Sequence, residues 1–142
     1  MPIRAEISPV PLPVSFTEHG VEVEYRDGRS VFYRGVPATA EGSVRTAPDK
    51  DVHVLVTDEA GEEGVLTYVN DRTTYDDILR DTGVGRVLLD VGEETAVYPG
   101  VTVENERHRV TVTADFDAVD GRVFVFEEDE LGERSHELVP AE

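Results

Sequence analysis

Val123-Phe124-Val125-Phe126 limits what this chain can fold into more than any other segment. Successive side chains of a strand point to opposite faces, so four consecutive large apolar residues require burial on both. Only a strand inside a layered structure meets that requirement. Around this run the sequence alternates instead. Val52, Val54 and Val56 are interleaved with His53 and Leu55, and the acidic stretch Asp58 to Gly64 leads to a return strand at Val65 to Val69. Val21 to Arg26 and Arg29 to Arg34 flank Asp27-Gly28, a pair suited to a hairpin turn. If the loop is Asp27-Gly28-Arg29 with Gly28 or Arg29 left-handed, then Val21, Val23, Tyr25, Val31 and Tyr33 share one face. A strict two-residue loop would pair Val23 with Phe32; the first register is expected, because it gathers the apolar side chains together.

Shorter strand signals fall at Ala40 to Thr46, Arg86 to Leu89, Ala96 to Tyr98, Val101 to Glu104, Arg109 to Thr113 and Arg134 to Val139. A polar turn is expected over Glu127 to Gly132. One helix is expected near residues 75–82. Thr74 suits its N-cap, Asp76 and Asp77 sit in the first turn where the helix dipole favours anions, and Gly83 closes it. Residues 1–13 hold four prolines and read as an extended arm, adding at most an edge strand near Val14 to Thr17. The expectation is a mainly-β single domain over 14–142, barrel-like or a sandwich. It would have about nine or ten short antiparallel strands and one short α-helix.

Charge says what solvent suits this surface. Asp and Glu number 31 against 13 Lys and Arg, a formal net charge of −18, and Lys50 is the only lysine. A domain of this mass exposes roughly 7,300 Å², about one net negative charge per 400 Å². The mean spacing of about 20 Å lies inside the ~30 Å screening length of 10 mM salt, whereas molar salt shortens that length to about 3 Å. Such a surface is costly in dilute buffer and tolerable in brine. It fits a halophile's KCl-rich cytosol, and the even spread of acid along the chain argues against the alternative, mimicry of nucleic acid. With no apolar run near the ~20 residues of a membrane span and no basic-then-apolar start, a cytoplasmic location is expected. The absence of cysteine excludes disulfides and thiolate chemistry.

No motif points to a reaction. His19, His53, His108 and His136 are far apart, so no metal or other cofactor is expected. Asp58, Glu59, Glu62 and Glu63 lack calcium-loop spacing and read as a solvated hairpin tip, as do Glu127, Glu128, Asp129 and Glu130. Gly83-Val84-Gly85-Arg86 follows a helix rather than opening one, the wrong order for a phosphate cradle, although Arg86 remains a candidate anion contact. Ser135 and His136 are neighbours in a strand and point to opposite faces. Residues 25–50 are locally basic: Arg26, Arg29, Arg34, Arg45 and Lys50 against Asp27, Glu41 and Asp49, with Tyr25, Phe32 and Tyr33 interleaved.

The phrases VHVLVTD (from Val52), GVLTYVNDR (from Gly64), DDILRDTGVGRVLL (from Asp76) and VFVFEEDELGERS (from Val123) resemble a family of small, acidic, uncharacterised haloarchaeal proteins, a domain of unknown function. The resemblance runs from about Val21 to the C-terminus. It implies a haloarchaeal cytosolic origin and carries over no functional residue.

Two functional classes follow. The first is a non-enzymatic binding or assembly module. Arg26, Arg29, Arg34, Arg45 and Tyr33 would meet an acidic protein or nucleic acid, with no membrane partner. The second is a small enzyme or small-molecule-binding protein with a site around Asp71, Arg72, Tyr75 and Arg86, beside the expected helix. Pairing of an exposed edge strand offers a route to a homo-oligomer.

Overall fold

The computed structural model describes residues 4–5, 11–25, 28, 30–35, 37–48, 50–69, 86–88, 94–106, 109–129 and 132–140. Among them fourteen strands form: β1 (Arg4–Ala5), β2 (Leu12–Thr17), β3 (Gly20–Glu24), β4 (Ser30–Arg34), β5 (Pro37–Glu41), β6 (Ser43–Arg45), β7 (Asp51–Thr57), β8 (Glu63–Val69), β9 (Arg86–Leu88), β10 (Glu94–Tyr98), β11 (Val101–Glu106), β12 (Arg109–Ala114), β13 (Arg122–Asp129) and β14 (Gly132–Val139). The helix expected near 75–82 lies outside the described residues.

Ten strands make one sheet, in the order β4-β3-β2-β8-β7-β13-β14-β5, with β9 beside the end of β8 and β1 beside β9. The other four form a second sheet, β10-β11-β12-β6. The Val-Phe alternation of β13 explains how they are layered. Phe124 and Phe126 enter one core with Leu12, Val14, Val21, Val23, Tyr25, Tyr33, Leu55 and Leu66. Val123 and Val125 enter a second core with Val52, Val54, Val69 and Leu138, closed from the other side by Val97, Val101, Val103, Val110 and Val112 of the smaller sheet. The central strand is buried on both faces, as its sequence requires.

The large sheet bends until β4 comes up to β14: Arg34 Nε lies 3.8 Å from Glu133 Oε2, and a Cβ on Gly35 would stand 2.6 Å from Ser135 Oγ. No ladder joins β4 to β14 among the described residues, so a closed barrel does not form.

The first hairpin takes the expected register, with Val21 opposite Tyr33 and Val23 opposite Val31. Gly28 turns the chain at φ +93°, donating to Tyr25 O at 3.0 Å. The second hairpin pairs Val56 with Val65, and Asp58 Oδ1 ties its tip by accepting from the Glu62 N–H at 2.9 Å.

Three expectations need correcting. The arm does not stop short of the domain: β2 begins at Leu12, which is 1% exposed, and it pairs with β8 at Leu12 and Pro13 and with β3 from Val14 to Thr17. The strand expected at Ala40 to Thr46 is two strands broken at Gly42 (φ +67°), and the first of them, β5, runs parallel to β14. The turn expected from Glu127 begins later, because β13 continues to Asp129 and buries Glu127.

Candidate functional site

Along the central strands the two ends differ in how their polar groups are satisfied. At the start of β7 and the end of β13, alternation places Asp51, His53, Phe126, Glu128, Glu133 and Ser135 on the curled face of the large sheet, in register across β7, β13 and β14. His53 lies among rings: Tyr33 at 4.8 Å, Tyr68 at 4.8 Å edge-on, with Tyr33 in turn stacked on Phe126 at 5.4 Å. The Tyr25 and Tyr33 hydroxyls meet at 2.5 Å behind it. The residue as a whole is partly exposed, but His53 Nδ1 is buried and has no hydrogen-bond partner. Burial pushes the imidazole pKa down to about 4, so the ring is neutral at physiological pH.

At the outer margin of the same face, Glu128 stands between Asp51 and Glu133 in the register. Desolvation raises its pKa, and the negative charges of Glu133 and Asp51 raise it further. One step inward from Glu133, Ser135 is 2% exposed and its Oγ has no partner.

On the opposite face, at the same end, sits Glu127, the one buried carboxylate among the described residues, 3% exposed. Its Oε1 accepts from the Ala47 N–H at 2.6 Å, and its Oε2 is 2.6 Å from His136 Nε2. Thr46, just before Ala47, accepts from the Val110 N–H at 3.0 Å, and Val110 is opposite Asn105 in the ladder. Asn105 is 2% exposed, with Nδ2 buried and unpartnered. His53 Nδ1, Asn105 Nδ2 and Ser135 Oγ are the unsatisfied buried side-chain atoms of the described residues, and all three lie at this end.

Among the described residues the other end leaves no buried side-chain polar atom unpartnered. Arg122 donates through Nε and Nη2 to both oxygens of Glu137, at 3.1 and 3.0 Å, while its guanidinium lies over Phe124 at 5.0 Å and Phe16 at 5.5 Å. Thr57 donates to Asp58 O at 2.8 Å.

The residues singled out in the sequence are dispersed. Arg34 is 76% exposed and near Glu133; Arg45 is 59% exposed, belongs to the other sheet, and has Nη2 3.6 Å from Glu106. Tyr33 is 5% exposed and its hydroxyl is bound to Tyr25, so it offers no surface to a partner. Arg26, Arg29, Asp71, Arg72 and Tyr75 lie outside the described residues, and of Arg86 the backbone alone is placed, opposite Thr67. Ser135 and His136 do face opposite ways, one beside Phe126 and the other toward Glu127. No group of three potential metal ligands occurs among the described residues, and no helix there is long and apolar enough to cross a membrane.

The residue-level reading missed Glu127, although it continues the Val123, Val125 alternation and so should face inward. Nothing in the sequence marks Asn105 or Ser135. The sequence model of a family of unknown function, DUF5796, matches residues 1–139. The chain belongs to the DUF5796 family. No curated protein and no solved structure matches it. What this DUF5796 chain does therefore rests on the chemistry of its own two ends.

Proposed function

We propose that this is a non-enzymatic, small-molecule-binding β domain whose ligand seats at the His53 end, against the partly exposed residues His53 and Tyr68. The observation that carries this reading is that the unsatisfied buried polar side-chain atoms of the described residues gather at one end of the fold. An unpaired buried polar group costs about 1–3 kcal/mol, and such costs are retained where a binding partner removes them. The surface charge of −18 supports a cytosolic setting rich in KCl, of the haloarchaeal kind.

The test is a fragment screen in 2 M KCl read by NMR on the His53 ring carbon and proton. Binders should shift this resonance saturably, and the His53→Phe variant should lose them while keeping its fold. A screen whose binders leave His53 and Tyr68 unperturbed would overturn the assignment. The salt component has its own check: raising KCl from ~0.01 M to molar concentration should raise the unfolding midpoint substantially, and a flat response would remove the halophile argument.

A second reading is favoured by the exposure of Arg34 and Arg45: the basic region over 25–50 meets an acidic protein or nucleic acid. Changing Arg26, Arg29 and Arg34 to Glu together should then abolish recovery of a partner in molar KCl. Retained recovery would exclude that surface.

A further inference from the structure

We propose that the ligand of the His53 end is an organic cation, a guanidinium or primary ammonium compound, held by Glu128 and lying against the rings of His53 and Tyr68. The proposal rests on the small-molecule reading above and adds the chemistry that selects the ligand.

Glu128 is its centre. The carboxylate is half-buried, and among the described residues it has neither a cation nor a hydrogen-bond donor of its own. Its neighbours across both ladders, Asp51 on β7 and Glu133 on β14, are carboxylates too. The described cations nearby belong elsewhere: Arg34 approaches Glu133 at 3.8 Å, and Lys50 adjoins Asp51 in the chain and has interactions of its own. Elsewhere on the same sheet a half-buried carboxylate receives an arginine in a two-pronged pair, as Glu137 does from Arg122. Among the described residues none does the same for Glu128.

Acid alone would not make a site. The second observation is the row directly beneath it. Stepping inward by two residues on each strand, Asp51 gives way to His53, Glu128 to Phe126 and Glu133 to Ser135. Strand alternation sends all of these to the same face. Two of the three carry an unpartnered buried atom, His53 Nδ1 and Ser135 Oγ, and Ser135 is 2% exposed. A neutral imidazole does not repel a cation, and the half-buried residues His53 and Tyr68 supply the aromatic character to which guanidinium and ammonium groups are drawn. A planar guanidinium also meets a carboxylate through two parallel hydrogen bonds. A bare metal ion fits less well, since the described residues gather no three ligands around one point.

Agmatine, which carries a guanidinium and an ammonium, is the probe, with pentanoate, 1-pentanol and Mg²⁺ as comparators. Each is titrated into the full-length protein at fixed ionic strength, following the His53 and Tyr68 ring resonances and the heat of binding. Agmatine should bind saturably and shift both rings. Glu128→Gln should weaken it about tenfold or more, and moving from 0.2 M to 2 M KCl should weaken it several-fold. Because Gln removes a carboxylate crowded by like charges, that variant should fold at least as stably as the parent, and Tyr68→Leu gives an independent loss of affinity. Saturable shifts from pentanol or pentanoate but not from agmatine would overturn the cation assignment and leave the His53 site standing. Stronger competition by Mg²⁺ than by agmatine would replace the organic cation with a metal and so also overturn it. Silence of both rings to every probe would remove the site reading together with the proposal.

Discussion

The two ends of the central strands solve the same problem in opposite ways. Both must bring polar chain ends out of a core made of Phe and Val. The Arg122 end does so with internal partners: a two-pronged arginine–glutamate pair laid over two phenylalanines, and a threonine donating to the backbone. The His53 end holds a neutral histidine, a crowded glutamate, a buried glutamate–histidine pair and three unpartnered polar atoms. Composition does not separate them, since each is built from β-strand residues and carboxylates. What separates them is whether each polar group meets its partner inside the chain. An end optimised for stability looks like the first, and an end kept ready for something outside the chain looks like the second.

The largest expected effect breaks the well-satisfied end. Gly121 has φ +137°, and a Cβ there would stand 2.0 Å from Thr57 O. Since backbone rather than a flexible side chain is in the way, Gly121→Ala should cost about 4 kcal/mol by strain and displaced pairing at the β7–β13 margin. Chemical denaturation measures it, and a loss below ~1 kcal/mol would mean that this end is not tightly built.

Next comes the buried pair at the other end. Glu127→Ala leaves the Ala47 N–H and His136 without their acceptor, and should cost about 3 kcal/mol. Glu127→Gln keeps one acceptor for Ala47 and should cost less. If the two variants were equally mild, the pair would contribute little to holding the β6–β7 connection onto β13.

Acid should separate the two ends further. His53 titrates at about 4 in the fold against 6.5 for an unperturbed imidazole, so the unfolded chain takes up a proton over a range where the folded chain does not. Stability attributable to His53 is therefore complete above about pH 6.5 and is lost as pH falls toward 4. The loss is at most about 3 kcal/mol, reduced by whatever hydration the partly exposed residue retains. The carboxyl groups of Asp51, Glu128 and Glu133 face the same side and are present in both proteins, so the difference between the parent and His53→Phe isolates the histidine. Parallel pH profiles for the two proteins would contradict the buried neutral ring.

These particulars also show where sequence reasoning reaches its limit. Val123 to Phe126 announced a strand buried on both sides, and Asp27-Gly28 with its flanking alternation announced the register of the first hairpin, because period and turn chemistry are local. The parallel pairing of β5 with β14 and the pairing of Leu12 and Pro13 with β8 are long-range facts that the prolines of the arm do not announce. At the site, His53 stood in view as the polar residue of VHVLVT, but its ring neighbours come from β4 and β8. Glu127 was masked by the acids that follow it, and its inward direction needed the strand to continue past Phe126. Whether Asn105 or Ser135 meets a partner is a property of packing that no local pattern encodes.

The smallest expected effect is the sharpest for the comparison, because it predicts a change of sign. Thr57 and Ser135 are equally buried, at 2% each, and each carries one hydroxyl on the curled face of the large sheet. Thr57 spends its proton on Asp58 O, whereas Ser135 Oγ has no partner. Thr57→Val should therefore lose about 1 kcal/mol, the net worth of a satisfied hydrogen bond. Ser135→Ala removes a polar atom that was desolvated without return, so it should be neutral or gain about 1 kcal/mol. Denaturation midpoints measured with and without a saturating ligand then complete the test. If the His53 end is kept unsatisfied for a ligand, the advantage of Ser135→Ala in the free protein should shrink or reverse when the ligand is bound, while the cost of Thr57→Val stays the same. Two losses of equal size in the free protein would erase the distinction between the ends.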